Sequence, residues 1–403
     1  MVVPNGWAVK PLLECCDLLQ GLTYSPSNIQ SYGLLVLRSS NIQDGKLVLD
    51  DCVYVNCSID EIKYVKPNDI LICVRNGSSA LIGKSCVIDR PYNATFGAFM
   101  SVLRGDTTGY LAHMFASDVV QQQIRNRSSA TINQITKRDF EDIKIPIPFD
   151  EEEQRAIAAA LSDADAYITA LEKLITKKRA VKQGAMQELL TGKRRLPGFK
   201  GEWIEKKIHE IGDTSSGGTP SRSVPTYFNG NIPWVTTSEL NDNYIRSTAE
   251  KITSEALNNS SAKLFPKGTV LMAMYGATIG KLGILDVDAT TNQACCALFF
   301  NKDIDSVFMY FLLLYHRTEI IELGSGAGQP NISQMIIRNL TFTIPPTLAE
   351  QTAIAAVLSD MDAEIDALTA KLEKARRIKQ GMMSELLTGR IRLVEGDVDN
   401  GEN

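Results

Sequence analysis

The sequence predicts an α+β protein in which two globular modules alternate with two long helices. These helices are expected to pair as an intramolecular antiparallel coiled coil, giving the chain pseudo-twofold symmetry. Three observations predict this fold. The segment 153–196 returns as 350–393 at a constant offset of 197, with 27 of 44 positions identical. Apolar residues follow a heptad pattern in both copies, and acidic residues precede basic ones in both. A long internal repeat indicates duplication of one structural unit.

Composition places the chain among ordinary globular proteins of two or three domains. It has 403 residues, of which 44% are hydrophobic and 22% charged, so a packed core is expected. No apolar run approaches the roughly 20 residues of a membrane helix, and the start shows no secretory signal. The eight cysteines form no CxxC pattern, which favours reduced thiols in a cytoplasmic protein. The net charge of −5 does not itself indicate nucleic acid, although a local basic face can coexist with it.

The two modules, predicted at 1–149 and 199–348, are each expected to contain a twisted, mostly antiparallel sheet. β-rich runs such as LLVLRSSNI (34–42) and GTVLMAMYG (268–276) are separated by Gly, Asn, Pro and Ser turns. Helical stretches are expected at 109–124 and 305–322. The modules resemble each other weakly, but Ile-Gly-Lys recurs at 82–84 and 279–281 with the offset of the helices. A shared scaffold with different surfaces suggests two related but different targets.

The helical segments, predicted at 150–198 and 349–393, are each about 40 residues and roughly 60 Å long at 1.5 Å per residue. Prolines precede both helices, and Gly192 and Gly389 are at the expected ends. Gly184 and Gly381 interrupt both helices at matching places, so a close packing contact is expected there. The predicted helix–helix seam consists of Ile157, Leu161, Ile168 and Leu171 in the first copy and Ile354, Leu358, Ile365 and Leu368 in the second.

Charge changes sign along each helix. Residues 150–166 contain six acids and one base, whereas 173–195 contain eight bases and one acid. The second copy has five acids and no base in 349–366, then seven bases and two acids in 371–392. The helix dipole explains the order within one helix but not a heptad pattern that occurs twice. Antiparallel pairing would place opposite charges together, which is why we predict it.

The repeated text, EQxxIAxxLSDxDxxIxxL followed by KQGxMxELLTGxxRL, resembles the conserved regions of specificity subunits of type I restriction–modification systems. Module segments 68–88, 268–285 and 329–334 (QPNISQ) are similar to that family's target recognition domains, although the first module departs from QPNISQ at 129–134. The resemblance implies a subunit without catalytic activity or cofactor. It implies recognition of a bipartite, asymmetric double-stranded DNA site, one half per module, with the helices setting the gap. The implied partners are two adenine methyltransferase (modification) subunits and, in a nuclease-containing complex, restriction subunits.

Residues that could contact DNA follow strands or occupy loops in both modules. Base recognition needs hydrogen-bond donors and acceptors, and phosphate contacts need cations. Lys84 and Lys281 follow Ile-Gly on matching turns, which favours phosphate contacts. The candidates in the first module are Arg38, Ser39, Ser40, Asn41, Arg75, Asn76 and Lys84. Those in the second are Arg222, Thr236, Thr237, Ser238, Tyr275, Lys281, Asn292 and Gln293.

Two other functions remain open from the sequence. The chain could be a coiled-coil scaffold whose modules bind protein, or a specificity subunit of a methylation-only or phage-defence assembly that lacks a nuclease. An enzyme acting alone is disfavoured, because the adenine methyltransferase Asn/Asp-Pro-Pro-aromatic element and the GxxxxGK[ST] phosphate loop are missing. The three histidines are far apart, and no metal site is predicted. The acidic, polar tail 394–403 is predicted to be disordered.

Overall fold

The structure is a computed structural model that describes residues 3–127, 133–324 and 331–393. The tail at 394–403 lies outside the described residues. The chain forms two compact units. The first unit comprises Met1–Glu172 and Ala370–Asn403, and the second comprises Lys173–Thr369. Each unit contains one globular module and one segment of each long helix. The bounds of the five segments predicted from the sequence stay predictions.

The first unit contains twelve described strands. They are β1 (Trp7–Pro11), β2 (Asp17–Gln20), β3 (Ile29–Gln30), β4 (Leu34–Leu37), β5 (Ile42–Gln43), β6 (Lys46–Leu47), β7 (Val53–Val55), β8 (Ile70–Cys73), β9 (Ser85–Val87), β10 (Ala94–Phe96), β11 (Met100–Arg104) and β12 (Lys144–Pro148). The helices are α1 (Tyr110–Ala116), α2 (Asp118–Arg127), α3 (Lys137–Glu141) and α4 (Glu151–Leu189).

Two four-stranded sheets form the first module, with orders β10-β4-β7-β3 and β2-β11-β8-β9. Strand β8 contributes to two hydrophobic cores, because its successive side chains point to opposite faces of the sheet. Ile70 and Ile72 pack among α1, α3 and the start of α4, whereas Leu71 and Cys73 pack against the other sheet. Most strand pairs are antiparallel, but β4 and β10 are parallel. One sheet per module was predicted, whereas the strands of the first module are divided between two four-stranded sheets.

The second unit repeats this arrangement. Its strands are β13 (Ile204–Lys207), β14 (Gly212–Ser216), β15 (Ile232–Val235), β16 (Asn243–Ile245), β17 (Glu250–Ile252), β18 (Leu264–Phe265), β19 (Val270–Ala273), β20 (Leu282–Leu285), β21 (Ala289–Thr291), β22 (Cys295–Phe300) and β23 (Thr341–Ile344). Its helices are α5 (Ile208–Ile211), α6 (Ser254–Asn258), α7 (Ser306–Tyr315), α8 (Arg317–Leu323), α9 (Gln334–Arg338) and α10 (Leu348–Leu386).

The sheets of the second module have orders β14-β22-β19-β20-β16 and β17-β15-β21-β18. Strand β19 alternates as β8 does. Val270 and Met272 belong to the core that includes α7 and the start of α10, and Leu271 and Ala273 belong to the core between the sheets. Strands β15 and β21 are parallel, like β4 and β10. The two modules therefore share a scaffold, as the weak sequence similarity predicts.

The long helices have the expected length, 39 residues each. Within each unit the two helix segments are antiparallel. As the residue number rises along one helix, the number of its ion-pair partner on the other falls. The first unit contains the ion pairs Glu153–Arg392, Asp165–Lys379 and Glu172–Arg376. The second contains Lys178–Glu364, Lys182–Asp362 and Arg195–Glu350. Each pair joins an acidic residue of one copy of the repeat to a basic residue of the other. A single continuous coiled coil with pseudo-twofold symmetry stays a prediction.

Most residues of the predicted seam are buried. Ile157 and Leu161 lie in the core of the first module, and Ile354 and Leu358 lie in that of the second. The start of each helix thus packs against its own module, which the heptad pattern alone does not reveal. Ile168, Leu171 and Ile365 are also buried, whereas Leu368 is only partly buried.

The expected close contact at the two helix glycines is wrong. A Cβ added at Gly184 or Gly381 would meet no atom of the described residues within 4 Å. These glycines therefore do not permit a tight helix crossing in this structure. By contrast, Gly192 and Gly389 have φ values of +67° and +72°, the left-handed conformation expected at a helix stop.

Candidate functional site

The first unit gathers several candidates where two parallel strands end. The Gly97 N–H, just after β10, donates to the carbonyl of Leu37 at the end of β4, with an N···O distance of 2.9 Å. The loops that follow both strands therefore lie side by side. We call the resulting patch the first strand-end surface, defined by Arg38, Ser39, Ser40, Arg75, Asn76, Ala98 and Phe99.

Direct contacts hold the first strand-end surface together. The Asn76 side-chain amide donates to the Ser39 hydroxyl at 3.0 Å, which ties the loop after β8 to the loop after β4. The carbonyl of Phe99 accepts from the main-chain N–H groups of Val74 and Arg75 at 3.0 and 3.2 Å. A cavity of about 580 Å³ opens beside the ring of Phe99 and is also lined by Arg38 and Ser40. The structure thus brings together residues that are distant in sequence.

Asn41 is a correction to the predicted set. Its side chain is fully buried. The amide donates to the carbonyls of Val48 and Asp51 at 3.0 Å, and its oxygen accepts from the Arg38 N–H at 2.9 Å. Asn41 closes the turn after β4 and, in this conformation, does not reach a base edge. Its type and position in a polar loop suggested recognition, but its role here is structural.

Arg38 remains at the surface, although part of its guanidinium is engaged. Its Nη2 atom lies 2.7 Å from the carboxylate of Asp51. The Nε atom is buried and has no hydrogen-bond partner among the described residues. A buried donor without a partner is costly, so a ligand that supplied an acceptor would be favoured.

Phe99 is a surface residue that the sequence did not single out. Its side chain is 56% exposed, and the Arg75 guanidinium lies over its ring, 5.2 Å from the centroid. Only its position directly before the buried strand β11 could have pointed to it. Phenylalanine in such a run is ordinarily a core residue.

The second unit has an equivalent patch at the ends of β15 and β21. The Asn292 N–H donates to the Val235 carbonyl at 2.9 Å. The Met274 N–H donates to the Ala294 carbonyl at 2.9 Å, as Val74 does to Phe99, so Tyr275 takes the backbone place of Arg75. We call this patch the second strand-end surface, defined by Thr236, Thr237, Ser238, Tyr275, Asn292 and Gln293.

The turn after β15 has the same construction as the turn after β4. The Glu239 carboxylate accepts from the Thr236 N–H at 2.8 Å, as the Asn41 side chain accepts from Arg38. The hydroxyls of Thr236 and Ser238 lie 2.7 Å apart. Ser238 is exposed, and Thr236 and Thr237 are partly exposed. The side chains presented at matching backbone positions therefore differ between the units.

Arg222 and Gln293 already have protein partners. Both terminal nitrogens of Arg222 donate to Glu250 at 2.6 Å, and its guanidinium lies 4.1 Å from the ring centroid of Phe228. Hydrogen bonding from Arg222 lowers the pKa of the Glu250 carboxyl, and the same hydrogen bonding raises the pKa of Arg222. The exposed Gln293 accepts a hydrogen bond from the Thr219 hydroxyl. Arg222 is thus neutralised in this structure and is a weaker phosphate candidate than its charge suggests.

The two predicted lysines occupy the same backbone position. The Lys84 carbonyl accepts from Cys73 N–H, and the Lys281 carbonyl accepts from Ala273 N–H, both at 2.9 Å. Their electrostatic surroundings differ, however. The Lys281 Nζ atom lies 3.6 Å from Asp242, whereas Lys84 has no ion-pair partner in the part of the chain that the structure describes.

Comparison with known proteins explains this duplicated arrangement. Residues 4–183 and 200–377 each match the type I restriction modification DNA specificity domain. The chain belongs to this family. The chain is 26% identical over 437 residues to the type I restriction enzyme StySPI specificity subunit of Salmonella potsdam, which covers 100% of this chain and 93% of that protein. It is 33% identical over 210 residues to the EcoKI specificity subunit of Escherichia coli, covering 48% and 45% of the two chains.

The fold agrees with this membership. The crystal structure of a type I restriction–modification S subunit from M. genitalium superposes with a TM-score of 0.65 at 16% identity, covering 96% of this chain and 98% of that one. Type I specificity subunits recognise DNA sequence, assemble with the other subunits of their systems and are not catalysts. The predictions of the family, of the DNA role and of a non-catalytic subunit are therefore confirmed.

Metal-binding clusters and membrane-spanning helices are both absent from the described residues. These residues contain no group of three or more His, Cys, Asp or Glu side chains placed to hold a metal ion. Among the same residues, no helix has the length and apolar character needed to cross a membrane. The QPNISQ segment lies partly outside the described residues, as do 129–132 of its counterpart.

Proposed function

We propose that this type I specificity subunit recognises a bipartite, asymmetric DNA sequence, with each module binding one half. The observation that carries the proposal is the pair of strand-end surfaces. They have the same backbone construction but carry different side chains at matching places, such as Arg38 against Thr236 and Arg75 against Tyr275. A shared scaffold would dock both modules on DNA in the same manner, while different side chains would select different bases.

The residues divide into two chemical classes under this proposal. Ser39, Ser40, Asn76, Thr237 and Asn292 offer hydroxyl and amide groups suited to base edges. Lys84 offers a cation that has no ion-pair partner among the described residues and is therefore suited to a phosphate. Lys281 is less suited to it because Asp242 lies near. The overall charge of −5 does not oppose this assignment, since binding depends on the local charge at the contact surface.

The long helices would fix the gap between the half-sites. A helix of roughly 60 Å suits major-groove faces one or two turns apart, at 34–36 Å per turn. We further propose that two adenine-methylating modification subunits bind the subunit, and that restriction subunits join where the system encodes them. Such a complex acts on cellular DNA, so we expect it in the cytoplasm.

Base-resolution methylation sequencing of the source genome, with and without this gene, tests the proposal. Loss of one bipartite adenine-methylated motif on deletion is the expected result, and it would define both half-sites and their gap. An unchanged methylome in cells that express the modification subunit would contradict the proposal and favour the scaffold function. Neighbouring genes then distinguish a methylation-only assembly from one with a nuclease.

A further inference from the structure

Phe99 occupies a position in the first strand-end surface that suits one specific DNA group. Its ring is 56% exposed and is surrounded by polar residues, with Ser39 and Asn76 joined by a hydrogen bond of 3.0 Å nearby. The backbone beneath it is fixed, because Met100 N–H donates to Gly97 at 2.8 Å and Phe99 itself accepts two hydrogen bonds. The turn therefore holds the ring at the surface and away from the core.

Arg75 restricts what the ring can do. The guanidinium over Phe99 covers one of its faces. A ring inserted between two stacked bases needs both faces free, so this geometry disfavours a wedge. Phe99, which is 56% exposed, also lines the cavity of about 580 Å³ together with Ala98 and Arg38. A small apolar group of a ligand is suited to that space. The hydrogen-bond donors beside the cavity can bind polar atoms of the ligand that lie next to this group.

We propose that Phe99 contacts the 5-methyl group of a thymine in the major groove and so contributes to the specificity of the first module. The thymine methyl is the apolar group that the major groove displays, and Ala and Phe side chains suit it. This inference rests on the proposed DNA recognition. The second module has Ala294, which is buried, at the corresponding backbone position, so the contact would belong to the first half-site alone.

The test uses the chain assembled with its modification subunits and duplexes of the methylated motif. Each thymine in turn is replaced by uracil, which removes only the methyl group. At one position of one half-site, the substitution should weaken wild-type binding about fourfold, the value expected for one buried methyl group. Phe99→Ala should bind the thymine and uracil duplexes equally at that position.

Matched variants separate this contact from general damage. Phe99→Leu keeps an apolar side chain and should retain part of the uracil effect. Phe149→Ala, which removes an exposed phenylalanine outside both strand-end surfaces, should retain all of it. The inference is overturned if no thymine position responds, if the response persists in Phe99→Ala, or if neither half-site contains thymine. Failure of the wild-type complex to bind the unsubstituted motif would instead refute the proposed function, and this contact with it.

Discussion

The buried carboxylate of Glu153 accepts two hydrogen bonds from Arg392, at 2.7 and 2.6 Å. The repeat places Glu350 and Arg195 at the equivalent positions, since 153 + 197 = 350 and 195 + 197 = 392. Those residues form the same two-pronged pair in the second unit, at 2.5 and 2.7 Å. Each glutamate thus pairs with the arginine of the other copy. This exchange links the start of each long helix to the segment that follows the other.

Breaking one of these pairs should destabilise its unit. In Arg392→Leu the Glu153 carboxylate, which is fully buried, would lose its charged partner. We expect a loss of about 2–3 kcal/mol in the free energy of unfolding, below the full range for buried pairs because Arg392 is 30% exposed. Urea unfolding followed by circular dichroism measures it.

Arg390→Leu is the matched control. Arg390 lies two residues before Arg392 and pairs with Glu385, whose side chain is 39% exposed. It should leave the urea midpoint unchanged, since exposed ion pairs contribute little. Equal midpoints for Arg392→Leu and Arg390→Leu would show that the buried pair does not support the unit.

Gly83 should be sensitive to substitution for two separable reasons. Its φ of +81° is strained for any residue with a Cβ, and a Cβ there would lie 3.0 Å from Ile124 of α2. Gly83→Ala should therefore cost about 2–3 kcal/mol, of which about 1 kcal/mol is backbone strain. Gly45→Ala isolates the strain, because Gly45 has φ of +73° and open space around it. A thermal or urea midpoint for Gly83→Ala no lower than that for Gly45→Ala would exclude the steric contribution.

The buried thiols should resist alkylation in the folded protein. Burial raises the pKa of Cys295 and of Cys296 to about 12, so at pH 8 only about one thiol in 10⁴ is the reactive thiolate. Cys52 and Cys57 are partly exposed and should react first with iodoacetamide. Peptide mass spectrometry with and without urea measures the order. Labelling of Cys295 at the rate of Cys52 without urea would contradict the buried placement.

The sequence predicted the duplicated features better than the individual contacts. The internal repeat with its offset of 197 predicted the long helices, the pairing of acidic with basic residues and the matching positions of Lys84 and Lys281, because similar sequences adopt similar structures. It did not show that Ile157 packs into a module core. A heptad pattern indicates which residues of a helix are buried, but not which element buries them. The sequence-based prediction also missed Phe99, because the exposure of a residue in the short loop between β10 and β11 depends on the neighbouring sheet. Asn41 was misassigned, since its partners Val48 and Asp51 meet it only in the folded turn.

Lys84 should contribute to DNA binding regardless of sequence. Its ammonium group has no ion-pair partner among the described residues, so it is available to a phosphate. Lys84→Ala should weaken binding to cognate and unrelated duplexes by the same factor, roughly threefold to tenfold, and reduce the slope of log K against log salt by about 1.

Lys84→Arg should keep most of the affinity, and Lys302→Ala, which removes an exposed lysine outside the candidate set, should change neither the affinity nor the salt slope. Fluorescence anisotropy across a salt series measures both. Unchanged affinity would rule out the phosphate contact, whereas a loss confined to the cognate duplex would indicate a base contact, because only base contacts depend on sequence.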